Sequence, residues 1–250
     1  MNKTLTKKEM LNITNLPGDI LDHISVFLPS KDLGQFLCAS RQITISAYLR
    51  RDRQRAYWKK CGTALLAMKG DLAGLQYLHS IGGPCTTSAT GLNAISLAAM
   101  NGHLAVVEFL HGIGAPYTDN AINNAAANGH LAVVQYLHRI GAICTDYVMN
   151  LAAAYGHLAV VEFLHSIGAP YTEYAMNNAA RNGHLAVVRF LHRVGATCTA
   201  DAMTTAAYNG HLPVVEFLHR IGAPCTSDAM DWAVSKGHLA LVLFLYSIGV

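Results

Sequence analysis

Histidine and cysteine are the residue types in this chain best suited to chemistry, because both bind metals and both act as nucleophiles or bases. Twelve of the thirteen histidines fall into two regular columns. The first column directly follows a glycine and comprises His103, His130, His157, His184, His211 and His238. The second column comprises His79, His111, His138, His165, His192 and His219. Such regularity raises the question of a metal site.

The spacing of the histidines argues against a bound metal ion. Two histidines of one unit are eight residues apart, which is about 12 Å along a helix that rises 1.5 Å per residue. A zinc site requires about four ligands that converge at about 2.0–2.3 Å. We therefore predict a structural role for both columns. A buried neutral imidazole must charge below about pH 6, so we also expect stability to fall there.

The cysteines follow the same repeat and give no sign of a catalytic or disulfide-bonded arrangement. One column holds cysteine in some units and tyrosine in others: Cys85, Tyr117, Cys144, Tyr171, Cys198 and Cys225. A position that accepts either side chain fills space under a turn. The chain also lacks a glycine-rich phosphate loop, a Ser/His/Asp arrangement and a cysteine pair with zinc spacing. We predict a non-catalytic protein without metal or cofactor.

One stretch, Thr118 to Cys144, is the unit that positions these columns. Copies of it begin every 27 residues, at Thr145, Thr172, Thr199 and Thr226. Gly-His-Leu marks the same point in six units, at 102–104, 129–131, 156–158, 183–185, 210–212 and 237–239. A fixed period of this length predicts a solenoid of stacked helical pairs.

Each unit reads as two short helices. Thr118 is predicted to cap the first helix with its hydroxyl, and Gly129 to end it in a left-handed conformation. The second helix is predicted to begin at Leu131, and Gly141 to stop it. The apolar residues recur on one face of each helix: Ala121, Ile122, Ala125 and Ala126, then Val133, Val134 and Leu137. One unit cannot bury this surface alone, so it must stack on the next.

The repeated text A-A-x-N-G-H-L-x-V-V-x-F-L-H-x-x-G-A resembles the ankyrin signature. Ankyrin repeats are about 33 residues long and carry T-P-L-H, whereas these units lack that segment and most of the β-hairpin finger. They are similar to the short arrays of protists, algae and amoeba-infecting giant viruses. The resemblance covers 61–250, about seven helical pairs. It implies an all-α ankyrin-like solenoid that binds proteins, in which the histidine after glycine bridges neighbouring repeats.

A second resemblance covers residues 15–60, after an arm at 1–14 that we expect to be disordered. The text N-L-P-G-D-I-L-D-H-I-S-V-F-L-P-S-K-D-L resembles an F-box, and the segment from Arg50 to Lys60 with Trp58 supplies its third helix. The resemblance implies docking to a Skp-family adaptor of a cullin ubiquitin ligase through Leu16, Pro17, Ile20, Ile24, Leu28 and Leu33. The alternative is that these helices only cap the solenoid.

The outward positions of the first helices vary between units, so they are the candidates for binding an unidentified protein target. Tyrosine, tryptophan and arginine are the residue types that anchor interfaces. The predicted partner-binding residues are Tyr147, Asn150, Tyr174, Asn177, Arg181, Asp201, Tyr208, Asp228, Asp231 and Trp232.

The charge and hydropathy of the chain argue against two classes of partner, nucleic acids and membranes. Residues 1–60 hold 11 Lys/Arg against 5 Asp/Glu, and the remainder holds 7 against 10, so the array is not expected to bind nucleic acid. The chain has no apolar run of about 18 residues and no apolar signal segment at its start. We expect no membrane partner and a cytoplasmic or nuclear location, which for a viral protein is the host cytoplasm.

The last unit departs from its siblings. Leu243 stands where the other units carry Glu108, Gln135, Glu162, Arg189 or Glu216. Terminal repeats of solenoids require a polar outer face. The sequence therefore predicts either that the array is cut short here or that it self-associates through this end.

Overall fold

The computed structural model describes residues 51–83 and 93–250. The chain divides into two compact units, Met1–Lys60 and Cys61–Val250. The arm predicted at 1–14 lies outside the described residues. So do the predicted adaptor-binding positions, Leu16, Pro17, Ile20, Ile24, Leu28 and Leu33, and Cys85 of the cysteine column.

The described residues form fourteen helices and no strand, so the predicted all-α class is confirmed. Helix α1 covers 51–69. The others are α2 Leu72–Ser80, α3 Ala94–Met100, α4 Leu104–Gly112, α5 Asp119–Ala127, α6 Leu131–Arg139, α7 Asp146–Ala154, α8 Leu158–Ser166, α9 Glu173–Arg181, α10 Leu185–Arg193, α11 Ala200–Tyr208, α12 Leu212–Arg220, α13 Ser227–Ser235 and α14 Leu239–Ser247.

The helices from α3 to α14 form six pairs that stack in chain order. Each odd-numbered helix is the first of its pair and packs against the first helices on either side of it. Each even-numbered helix packs against its own partner. The result is a two-layered solenoid of first and second helices, as the 27-residue period predicts.

The buried faces are those expected from the apolar spacing. In α5, Ala121, Ile122, Ala125 and Ala126 are fully buried, and in α6 Leu137 is fully buried. Small alanines let the first helices approach closely. One larger side chain per unit fills the remaining space between them, and these side chains form a continuous buried row: Ile95, Ile122, Met149, Met176 and Met203. Burial of this row requires neighbours on both sides, so stacking rather than the single unit defines the fold.

Glycines end the helices as predicted. Gly129 and Gly141 have φ angles of 74° and 99°, a left-handed region in which a side chain is unfavourable. A hydrogen bond closes the turn at Gly129, in which the His130 N–H donates to the Ala125 carbonyl at 2.9 Å. The next helix begins directly afterwards, at Leu131. The links between pairs contain no strand among the described residues, consistent with the shortened repeat.

The prediction that threonine hydroxyls cap the first helices is wrong. Thr118 makes no side-chain capping bond, and its backbone carbonyl instead accepts from the Ala121 N–H at 2.9 Å. The same absence holds at Thr145, Thr172, Thr199 and Thr226. The Thr199 hydroxyl donates to Asn177 Oδ1 of the preceding unit at 3.0 Å. At Thr199, therefore, a contact between repeats uses the hydroxyl that local capping would use.

The described part of the predicted third F-box helix, 51–60, is helical. Gly62 has a φ of 68°, a left-handed value outside the α-helical range.

No helix in the described ranges is both long and apolar enough to cross a bilayer.

Candidate protein-interaction surface

The histidines that follow glycine lie at the junctions between units. His130 Nε2 lies 3.0 Å from the Met100 carbonyl oxygen, and His157 Nε2 lies 3.0 Å from that of Ala127. Each ring packs closely against the glycine of the preceding unit: a Cβ on Gly102 would approach His130 Nδ1 to 2.5 Å. The predicted structural role is therefore the one observed. The described residues contain no group of three potential metal ligands.

The second histidine column forms an aromatic ladder along the second helices. Each imidazole packs against the aromatic ring of the next unit, as for His138 and Phe163 with centroids 5.9 Å apart and planes at 76°. The other rungs are His79–Phe109, His111–Tyr136, His165–Phe190, His192–Phe217 and His219–Phe244. Sequence reasoning missed this ladder. The ladder is encoded by the recurring aromatic-Leu-His motif. In each motif the aromatic ring packs against the histidine of the preceding unit, and the histidine packs against the aromatic ring of the next unit.

The tyrosines of the cysteine and tyrosine column also join neighbouring units. The Tyr117 hydroxyl donates to the Ile140 carbonyl at 3.0 Å, 23 residues further on. Where cysteine replaces tyrosine, burial raises the pKa of the Cys144 and Cys198 thiols. These thiols thus stay protonated, the unreactive form. Cys61, Cys144, Cys198 and Cys225 are free thiols.

The exposed face of the first helices is the candidate surface for binding a protein partner. Four aromatic side chains among the predicted partner-binding residues project there: Tyr147, Tyr174, Tyr208 and Trp232 are 56%, 59%, 38% and 44% exposed. The predicted charged residues Arg181, Asp201, Asp228 and Asp231 are also exposed. Large aromatic side chains held open on a packed scaffold provide contact area at a low entropic cost.

The two predicted asparagines lie at the junctions between first helices and are half-buried. Asn177 accepts the hydrogen bond from Thr199 described above. One unit earlier, Asn150 Oδ1 and Thr172 Oγ1 are buried without a hydrogen-bond partner among the described residues. The structure therefore places Asn150 and Asn177 in the stacking of the units.

Five of the predicted residues meet in one place together with one lysine. We call this place the Trp232 patch and define it as Arg181, Tyr208, Asp228, Asp231, Trp232 and Lys236. The Tyr208 and Trp232 rings lie edge to face, with centroids 5.2 Å apart and planes at 70°. Lys236 Nζ lies 4.4 Å from the centroid of the Tyr208 ring. Sequence reasoning missed Lys236, which takes a position held by Asn128, Asn182 and Asn209 in other units.

Two open hollows adjoin this ring pair. The first has a volume of about 370 Å³ and is lined by Arg181, Thr204, Thr205, Tyr208, Asn209 and Trp232. The second has a volume of about 430 Å³ and is lined by Asp228, Asp231, Trp232 and Ser235. Trp232 thus borders both hollows, of which one is lined by an arginine and the other by two aspartates.

Comparison with known proteins agrees with this architecture. The family model described as ankyrin repeats (3 copies) matches residues 95–175, 149–228 and 176–250. The chain belongs to the ankyrin repeat family. The crystal structure of the human ASB11 ankyrin repeat domain superposes on the array with a TM-score of 0.61 and 21% sequence identity. The match covers 71% of this chain and 95% of the ASB11 domain. A search of curated proteins gave no match.

Membership of the ankyrin family assigns the array its general role. Ankyrin arrays are protein-interaction scaffolds and are typically non-catalytic. The histidine columns, Tyr117, Tyr171 and Asn177 connect neighbouring repeats. The exposed aromatic and charged residues of the first helices are available to a partner.

Proposed function

We propose that this chain is a non-catalytic adaptor that binds a target protein on its ankyrin array and a Skp-family adaptor through its N-terminal region. It would then be a substrate receptor of a cullin ubiquitin ligase of the SCF type. The rigid array would hold the target near a charged ubiquitin-conjugating enzyme and raise its effective concentration there. No covalent bond is made or broken by this chain.

The observation that carries the target-binding half is the set of exposed aromatic residues on successive first helices. Tyr147 and Tyr174 occupy the same position in adjacent units, and Tyr208 and Trp232 follow in the next two. Side chains held on a stacked array keep their spacing, so a partner meets a preorganised surface. The target is a protein segment long enough to contact several units.

The F-box resemblance supports the adaptor-binding half. Leu16, Ile20, Ile24 and Leu28 recur at helical spacing and would present one apolar face to the adaptor. Pro17 stands in the first turn, where its missing N–H is not needed. A cytoplasmic or nuclear location is part of this proposal, because the ligase machinery operates there.

The alternative is a ligase-independent ankyrin scaffold whose N-terminal helices only cap the array. It is favoured by the general requirement that the ends of a solenoid be shielded by a cap. Both proposals assign the same role to the array. They differ in whether residues 16–33 contact another protein.

One substitution in the full chain separates the two proposals. Ile24→Asp places a charge on the proposed adaptor-binding face and should abolish capture of a recombinant Skp-family adaptor. The matched control is Ile143→Asp, because Ile143 is 66% exposed on the array and its substitution should leave capture intact. Circular dichroism would verify that both variants keep the helical array. Capture that survives Ile24→Asp, or no capture by the unmodified chain, would leave the scaffold as the function.

A further inference from the structure

The Trp232 patch places opposite charges in two hollows that share the Trp232 side chain. Arg181 lines one hollow, and Asp228 and Asp231 line the other. Arg181, Asp228 and Asp231 form no ion pair with any described residue. Three exposed charges are therefore available beside an exposed aromatic ring.

The hollow that contains Arg181 offers hydrogen-bond donors. The Thr205 hydroxyl and the Asn209 amide are occupied, since they donate to the carbonyls of Asp201 and Thr205 at 2.6 and 2.9 Å. The Arg181 guanidinium, with five N–H groups in a planar fork, remains available to a ligand. Three further donors are also available, because they have no hydrogen-bond partner among the described residues: the hydroxyls of Thr204 and Tyr208 and the Trp232 indole N–H. A group of donors around a cation fits a carboxylate.

The hollow that contains Asp228 and Asp231 offers acceptors. The two carboxylates of Asp228 and Asp231 lie beside the indole, while the Ser235 hydroxyl is occupied because it donates to the Trp232 carbonyl at 3.0 Å. An indole face together with carboxylates is a favourable environment for a lysine or arginine side chain. The preferred occupants of the two hollows are thus of opposite charge.

We infer that the Trp232 patch binds an extended segment of a partner protein that carries one acidic and one basic side chain on the same face. In an extended chain such side chains stand two residues apart, about 7 Å, and would flank the Trp232 ring. The acidic side chain would contact Arg181, and the basic side chain would contact Asp228 and Asp231. This inference rests on the proposed function, because it names the partner chemistry of the same array surface.

The repeat itself indicates that the patch is specialised. Ala127 and Ala154 occupy the positions that Arg181 and Tyr208 take in later units. The position of Trp232 is held by Asn124, Leu151, Asn178 or Thr205 elsewhere. Stacking of the units therefore does not require these three large side chains. Their presence in three successive units creates the patch.

The test uses the full chain and short synthetic peptides. The main probe is acetyl-Gly-Ser-Glu-Ser-Arg-Ser-Gly-amide, together with the peptide in which Glu and Arg are exchanged. Control peptides carry Gln in place of Glu, of Arg, or of both. Binding is followed in ¹H–¹⁵N NMR spectra by the indole N–H resonance of Trp232, assigned with Trp232→Phe. The indole resonance of Trp58 serves as an internal reference.

We expect one order of the Glu/Arg peptide to shift the Trp232 resonance and to bind better than its Gln analogues. Loss of one charge from the peptide should weaken binding by about two- to fivefold, as for exposed ion pairs. Higher salt should weaken it further. Arg181→Ala should abolish the preference for Glu over Gln, and Asp228→Asn with Asp231→Asn should abolish the preference for Arg. Arg139→Ala on α6 is the matched control and should change neither preference.

Charge reversal provides a test that misfolding cannot imitate. Arg181→Glu should prefer a peptide with Lys in place of Glu over the original probe. Equal affinity for all peptides, an unmoved Trp232 resonance at millimolar peptide, or unchanged preference in Arg181→Glu would overturn the inference. None of these results bears on adaptor capture, which depends on Ile24 and on no residue of the patch. Binding of a target elsewhere on the array, for example at Tyr147 and Tyr174, would also remain.

Discussion

At the scale of single residues, the array depends on glycine and histidine acting as a pair. In every unit that is followed by another, the glycine that ends the first helix leaves the space in which the next imidazole lies. The glycine that ends the second helix has no such neighbour. Gly156 and Gly168 illustrate the difference, since their φ angles are 77° and 72°, whereas a Cβ meets the His184 ring at 2.5 Å in the first case and nothing within 4 Å in the second.

This difference predicts that a glycine-to-alanine substitution lowers the free energy of unfolding by different amounts at the two positions. Gly168→Ala should lower the free energy of unfolding by about 1–2 kcal/mol, the cost of a left-handed alanine. Gly156→Ala should lower it further, because the ring must move and its bond to the Ala154 carbonyl, worth about 0.5–1.5 kcal/mol, is at risk. Urea denaturation measures both changes. Adding His184→Ala should remove the extra cost, and equal effects at the two glycines would refute the pairing.

The pH dependence of stability can be tested at His211. Desolvation lowers the pKa of this imidazole below its usual value, although its hydrogen bond to the Arg181 backbone raises it in part. Charges on His184 and His238 would lower it further. The folded state then binds fewer protons than the unfolded state near pH 6. Its contribution to stability is complete above the unfolded pKa, about 6.5, and is lost as the pH falls through the folded pKa.

We expect the free energy of unfolding to decrease from pH 7.5 to 5.5 in the unmodified chain, and to decrease less in His211→Gln. Glutamine keeps an N–H that can donate to the Arg181 carbonyl but has no proton to gain. Urea denaturation of both proteins at the two pH values provides the comparison. Identical slopes would show that His211 contributes nothing to the pH dependence.

At the scale of the helices, the starts of the second helices tolerate proline. Pro213 stands near the start of α12, where the other units carry alanine, for example Ala159 in α8. The Ala159 N–H makes no backbone hydrogen bond, whereas the N–H groups of its neighbours Leu158 and Val160 do. A proline there loses no bond and restricts the unfolded chain.

Ala159→Pro should therefore raise the free energy of unfolding by about 0.4–1 kcal/mol. The control is Ala153→Pro in the last turns of α7, where a helical hydrogen bond is lost and the cost should be about 3 kcal/mol or more. Thermal denaturation followed by circular dichroism distinguishes the two. A destabilised Ala159→Pro would mean that the backbone at this start differs from that at Pro213.

Helix boundaries and burial could be predicted from the sequence because they depend on spacing within one unit. The apolar positions of α5 and α6 and the turn at Gly129 all follow from residues less than 27 apart. The failures are contacts between units. Thr199 was expected to cap its own helix but bonds to Asn177, and Lys236 lies over Tyr208 from 28 residues away. Such pairs depend on how neighbouring units stack, which a repeat pattern does not specify.

At the scale of the whole molecule, the stability of a solenoid is a sum over units and their interfaces. Within the described array, interior units have a neighbour on each side, whereas the pair α13–α14 packs only against the preceding unit. Its last helix leaves Leu239, Leu243 and Tyr246 69%, 61% and 79% exposed. Fewer contacts hold this pair, so it should open before the rest. The Trp232 patch lies partly on α13, and a bound peptide should therefore slow that opening.

The same substitution in two units tests this view. Leu164 in α8 and Leu245 in α14 occupy the same position and are both fully buried. Leu164→Ala should lower the global free energy of unfolding by about 2–5 kcal/mol, because the cavity lies between two neighbouring units. Leu245→Ala should affect the global transition less, since the end pair can open separately while the interior stays folded. Hydrogen exchange should then show lost protection confined to α13 and α14. If both variants lowered the main transition equally, and exchange rose along the whole array, the units would unfold as one cooperative body rather than from the end.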